Sequence, residues 1–237
     1  MKLKSLTILL LAITMIPSIA VSQAYKGKVS VKARHQVYQK GQLFTVESTS
    51  LYDGSTGNIT CHYIAPVEFY KTINTKGETM IYMPRENQVS FTQNSQYGSD
   101  SELLYYFVNN FTQDLGLEKE GFIRSGSRRD NKYHVTVWQA PPGLKPVHTV
   151  ELVFENFLPV YAAYLGMNGR PLKKIYYYEY HHDNNFSLPK KITEVSYSAP
   201  NDSVVRRTTF SDIRTGFNIE DSRFNFEIPQ NAVKVNF

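Results

Sequence analysis

Cysteine is almost absent: Cys61 is the only one in 237 residues. It cannot close an internal disulfide and cannot build a structural zinc site alone, so burial must hold the fold. Runs of like charge are missing as well, none being longer than two residues, and the net charge of +5 is spread along the chain without a basic tail for nucleic acid. Charged residues make up 20%, slightly under the usual share of about 25%. No apolar run reaches the roughly 20 residues that a membrane-spanning helix needs. Catalytic signatures are absent too: there is no Gly-x-Ser-x-Gly elbow, phosphate-cradling glycine loop or His-Glu-x-x-His helix. What is plentiful is the aromatic ring. With 17 Tyr, 14 Phe and 41% hydrophobic residues overall, the chain is too apolar for disorder and requires a core.

Residues 1–22 read as a secretory signal peptide. Lys2 and Lys4 precede an apolar run from Leu6 to Ile16, Pro17 breaks it, and small residues follow. Cleavage after Ala20, Ser22 or Ala24 fits that pattern. No cysteine stands there to take a lipid. The expected product, residues 23–237, is one exported soluble domain.

Most of that domain alternates with a period of two. Val29, Val31, Ala33 and Val37 share one parity while Lys28, Ser30, Lys32, Arg34 and Gln36 take the other. The same pattern returns in Ile59, Cys61, Tyr63 and Ala65, in Tyr133, Val135 and Val137, and in Val150, Leu152 and Phe154. Turn chemistry at Asp53-Gly54, Lys76-Gly77, Asn168-Gly169 and Ala199-Pro200-Asn201-Asp202 separates the runs, so antiparallel hairpins follow. The spacing predicts a mainly β chain: one strongly curved antiparallel sheet, a half-open barrel of about ten or eleven strands.

One stretch predicts a helix. Ser99, Asp100 and Ser101 offer N-caps before a segment in which Leu103, Leu104, Phe107 and Phe111 keep helical spacing. A second short turn over Gln113 to Lys119 would end at Gly121. So little helix must roof a wide sheet. Phe157 to Leu165 and Ile175 to Tyr178 are apolar on both parities and call for cover on two sides. Either helix and sheet close an ordinary core, or a cargo replaces water on the concave face. Periodicity alone leaves both open.

Polar candidates are weak. His181 and His182 point to opposite faces of an extended strand, and Asn184-Asn185 marks a loop after Asp183, so a solvated loop outweighs a metal site. Cys61 sits on the apolar parity, where a thiol is a small buried hydrophobe. The doublets Arg128-Arg129, Lys173-Lys174, Lys190-Lys191 and Arg206-Arg207 split across two strand faces. No catalytic residue, metal or cofactor is expected.

Gly57 to Val89 runs as strand, Ala65-Pro66 corner, strand, Thr75-Lys76-Gly77-Glu78 turn, strand and the Tyr82-Met83-Pro84 corner. Near the end come Phe210-Ser211-Asp212-Ile213, Gly216, Phe224-Asn225-Phe226-Glu227-Ile228-Pro229 and Val233. In order and kind these segments resemble the periplasmic outer-membrane lipoprotein carrier family, the LolA-like proteins. The resemblance implies a half-open barrel with lid helices that carries lipoprotein acyl chains through the periplasm as a monomer. It also implies a release machinery at the inner membrane, an acceptor at the outer membrane, and no enzyme activity. The implied lid is the helix from Ser101 to Phe111. The expected cavity wall joins Leu103, Leu104, Phe107 and Phe111 of that lid to Ile59, Tyr63, Val67, Phe69, Ile73, Val135, Val137, Leu152 and Phe154 of the sheet. Two departures stand out: strand-like alternation begins at Lys28 where the family opens with an amphipathic helix, and Ala65 occupies the position where the family places a basic residue that ties lid to barrel. Two other classes stay open, an exported sensor or interaction domain whose concave face is filled by its own side chains, and a hydrolase using His181 or His182.

Overall fold

The computed structural model describes residues 24–199 and 202–236. The expected signal peptide, residues 1–22, and Pro200-Asn201 of the last expected turn lie outside them. Six strands come first: β1 (Lys28–Gln39), β2 (Gln42–Asp53), β3 (Asn58–Ala65), β4 (Phe69–Ile73), β5 (Glu78–Met83) and β6 (Gln88–Gln93). A 3-10 turn at Ser99–Ser101 then leads into the helix α1 (Leu103–Val108). The chain continues through β7 (Ile123–Asp130), β8 (Tyr133–Gln139), β9 (Thr149–Glu155), β10 (Leu158–Leu165), β11 (Pro171–His182), β12 (Ser187–Ala199) and β13 (Asp202–Gly216), then a 3-10 turn at Ser222–Asn225 and the short β14 (Val233–Lys234).

All fourteen strands form one open sheet in the order β14-β6-β5-β4-β3-β2-β1-β13-β12-β11-β10-β9-β8-β7. Neighbours are antiparallel except β14 beside β6. The half-open antiparallel architecture therefore stands, with more strands than the alternation marked. β7 was invisible to it because all eight of its residues are exposed, leaving no apolar parity, and β14 is only two residues long. The expected hairpin turns do connect strands at Asp53-Gly54, Lys76-Gly77 and Asn168-Gly169. Gly77 has a positive φ of 73°, and a Cβ there would lie 1.8 Å from the Asn94 carbonyl oxygen, so only glycine fits that turn.

The helix is shorter than its spacing predicts. Ser99 Oγ is drawn off to the Gly57 carbonyl, Glu102 takes the N-cap position without a side-chain hydrogen bond, and Asn110 reverses the chain at a φ of 56°. Gln113 to Lys119 forms turns only. Even so, α1 presses its apolar side into the sheet. Phe107, fully buried, lies 5.8 Å from the ring of Tyr177 and 6.2 Å from that of Tyr180. Around it one continuous core joins Val29, Tyr52 and Ile59 from one half of the sheet to Trp138, Leu152 and Ile192 from the other, with Leu117 and Phe122 packed in from the segment after α1.

The opposite face is covered over only part of its width. Beyond β13 the chain crosses the back of β3 to β6, where the Phe226 ring stacks 4.2 Å from Tyr70, itself 4.1 Å from His62. Behind β9 to β12 no such layer exists among the described residues. Phe107→Ala, which empties the centre of the core, is expected to cost about 3–5 kcal/mol in urea or thermal unfolding.

Candidate functional site

Strand register assigns every side chain to a face. Trp138 pairs with Val150, Val150 with Tyr164, Tyr164 with Lys173, Lys173 with Ser196 and Ser196 with Val204, so these six share one side of the sheet. The next row runs Thr136, Leu152, Ala162, Ile175, Glu194, Arg206, Val37, Phe44. A third runs Tyr177, Ile192, Thr208, His35, Val46. These rows lie on the side that carries α1, the concave face. Their burial is uneven. Leu152, Ala162 and Ile192 are buried beneath α1 and its following segment, Val37 and Val46 are half-buried, and Phe44 is 56% exposed. The roof stops part-way, and past the polar side chains of Glu194, Arg206, Thr208 and His35 it leaves Val37, Val46 and Phe44 open toward the β1–β2 hairpin.

The expected cavity residues divide along that boundary. Ile59, Ile73, Leu104, Phe107, Leu152 and Phe154 are all in the core, at most 7% exposed, and touch other protein side chains. Leu103 packs against the same core and Phe111 is half-buried with its ring 5.9 Å from Tyr105. Tyr63 and Phe69 stand at the open end, stacked on each other at 4.2 Å. Burial pushes the Tyr63 phenol up to about 12.

Three expected residues lie elsewhere. Val67 is 49% exposed, because β3 ends at Ala65 and β4 starts only at Phe69, so the alternation carried through Pro66 does not hold. Val135 and Val137 face the other side, opposite Val153 and Glu151. β8 carries Tyr133, Val135 and Val137 on one parity and His134, Thr136 and Trp138 on the other, and Trp138, hydrogen-bonded through its indole N–H to Thr136 Oγ1 at 2.9 Å, marks the core side. That tryptophan is the readable signal for the parity of β8. Two hollows of about 690 and 410 Å³ lie on the protein; of the expected residues only Ile73 lines either one. The larger sits behind the sheet, between Phe226–Ile228 and Met80 and Phe91.

The lid is tied down, but not from the corner. Lys71 of β4 reaches up to the N-cap carboxylate of α1, Glu102 Oε1, at 2.9 Å. Lys119 holds Asp100 at 2.7 Å just before it. At the other end of the helix, Asn109 accepts the Tyr25 N–H at 2.9 Å and donates to Tyr52 Oη at 3.1 Å. The ion pair that Ala65 cannot make is thus supplied from the neighbouring strand, by Lys71 opposite Cys61, four residues before Ala65.

Other polar groups have local partners. Cys61 Sγ lies 3.4 Å from Ser50 Oγ, and burial pushes its thiol up against a smaller lowering from that contact. His182, exposed, contacts Ser187 Oγ at 2.9 Å, while Asp183 accepts from Thr215 Oγ1 at 2.8 Å and from Asn185. These bonds close the β11–β12 turn. Among the described residues no group of three or more His, Cys, Asp or Glu could hold a metal ion.

Comparison with known proteins bears on the architecture. No family model matches the chain, and neither does any curated protein. Solved structures do. An outer-membrane lipoprotein-sorting protein domain from Vibrio parahaemolyticus superposes with a TM-score of 0.58 at 12% identity, covering 85% of this chain and 90% of that one. A LolA superfamily protein from Nitrosomonas europaea gives 0.54 at 14% identity, with coverage of 85% and 91%. The chain has a LolA-like fold. A DUF1329-family protein from Desulfovibrio piger also shares it, with a TM-score of 0.55 at 13% identity, covering 83% of this chain and 89% of that one. Among the described residues of this LolA-like chain, no helix is long and apolar enough to cross a membrane.

If the Lys71–Glu102 pair holds the lid, Lys71→Gln will raise amide hydrogen exchange in α1 about two- to fivefold while leaving the sheet's protection unchanged, as the loss of one partly exposed ion pair allows.

Proposed function

We propose that this protein is an exported carrier that takes up acyl chains on its concave face and moves lipoproteins, or related lipids, through the periplasm toward the outer membrane. One observation carries the reading: apolar side chains continue along the concave face past the edge of the lid, from Tyr63 and Phe69 through Val46 to Val37 and Phe44, where a core would have ended. Rows of this kind, two residues apart along each strand, make a trough of hydrocarbon width. The LolA-like architecture supports the same reading.

The energetics favour partial enclosure. Burying one methylene is worth about 0.8 kcal/mol, so a triacylated anchor with on the order of 40 of them would gain roughly 30 kcal/mol if wholly enclosed. A carrier must release what it holds. An open trough leaves part of the hydrocarbon exposed and lowers that gain. The six-residue lid, held by its buried Leu104, Phe107 and Val108 as well as by polar contacts, stays packed while hydrocarbon lies past its edge. The carrier does no covalent chemistry, and its partners are the acyl cargo, a donor machinery at the inner membrane and an acceptor at the outer one.

The filled core under α1 favours a second reading, an exported sensor or interaction domain on the same scaffold. Native mass spectrometry of protein taken from the producing cells separates the two. The carrier is expected to retain acyl-bearing mass and to bind a fluorescent fatty acid, with Phe44→Asp and Val46→Asp each weakening binding about tenfold or more. Protein free of lipid that also ignores the fatty acid is the interaction domain.

A further inference from the structure

Where the roofed part of the trough meets the open part, the floor changes from apolar to polar. The second register row passes from Ala162 and Ile175 to Glu194, which faces Arg206 on β13. Glu194 Oε1 accepts from Arg206 Nη1 at 2.7 Å and from Ser196 Oγ at 3.1 Å. One row along, the Lys173 ammonium sits 4.0 Å from the centre of the Tyr164 ring. Tyr164 and Tyr177 both lie near enough to Glu194 to feel its charge. Five side chains from four strands therefore converge on the concave side.

Their hydrogen-bonding capacity is lopsided. The Lys173 ammonium has no carboxylate or hydrogen-bond acceptor among the described residues, and the Tyr164 and Tyr177 hydroxyls have no hydrogen-bond partner there. Arg206 uses a single N–H on Glu194, and among the described residues the rest of its fork has no partner. Against these donors stand two carboxylates, Glu194, already engaged twice, and Glu120, whose charge also acts on Tyr164. Among the described residues the Lys173 ammonium and most of the Arg206 fork nevertheless stay unengaged. Such a group is complementary to a ligand rich in acceptors and carrying negative charge.

We propose that Lys173, Arg206, Tyr164 and Tyr177 form a head-group subsite that selects acyl cargo with an anionic phosphate or carboxylate head, the hydrocarbon lying beyond it along Val37, Phe44 and Val46. This rests on the carrier reading and adds to it the class of cargo. Apolar residues on the open side receive the tail, while the donors stand at the lid's edge where a head can stay in water.

The test compares hexadecyl phosphate, hexadecanol and inorganic phosphate by displacement of a neutral fluorescent acyl probe, below micelle-forming concentrations. The full chain should bind hexadecyl phosphate about tenfold or more tightly than hexadecanol, as one charge-assisted contact allows. Lys173→Gln should bring that preference under about threefold with hexadecanol affinity unchanged, and Lys173→Arg should keep it. Equal binding of the two acyl compounds by the unmodified chain overturns the subsite and leaves the carrier intact. A preference untouched by Lys173→Gln overturns it as well. Binding of neither acyl compound overturns both readings, and displacement by inorganic phosphate alone at the same concentration makes this a free-phosphate site and overturns the head-group assignment.

Discussion

A β-sheet has two faces, and a wide sheet that is apolar on both must find cover for each. That constraint governs this molecule. Among the described residues fourteen strands are served by one six-residue helix, a coiled segment after it and a C-terminal segment on the back. The cover runs out on both sides. On the concave face it stops short of Val37, Val46 and Phe44; on the back it leaves Tyr161 and Tyr176, rings 5.1 Å apart, without a layer of described residues over them. Folding is secured where α1, Trp138 and Phe107 meet the sheet, and binding capacity arises where that packing ends.

The two regions differ in what a substitution does. Beneath the lid the side chains interlock, so truncation opens a cavity and costs stability. In the open trough Phe44 already faces water, and its replacement alters what the surface attracts more than how the chain folds. The lid lies between them. It is joined to the sheet by Lys71–Glu102 at one end, by Asn109 with Tyr52 at the other, and by Leu104, Phe107 and Val108 buried between them. A packed lid and a usable trough are thus compatible, because the trough lies beyond the helix.

Much of this was legible in the residues. Period-two alternation and glycine turns mark the hairpins, and the apolar spacing of Leu104 and Phe107 marks a helix that packs inward. Strand order needs only antiparallel neighbours for most of the chain. What could not be read has particular causes. β7 carries no alternation because neither of its faces is covered. Val135 and Val137 look like core because valine suits either face of a strand, and only the position of Trp138 across from Val150 decides between them. Val67 follows Pro66, where the chain leaves the sheet and parity loses meaning. The polar cluster around Lys173 was hidden for another reason: its members are far apart in sequence and meet only because β10 to β13 align in register. Doublets such as Lys173-Lys174 show that one lysine faces each way, not which one.

The central claim is that hydrocarbon lies on the concave face beyond the lid. Amide NMR with a nitroxide-bearing stearic acid tests it directly. Signal loss should concentrate at Val37, Phe44, Val46, Tyr63 and Phe69 and spare Tyr161 and Tyr176 on the back. Loss centred on Tyr161 and Tyr176, or no loss at saturating stearate, would contradict the account.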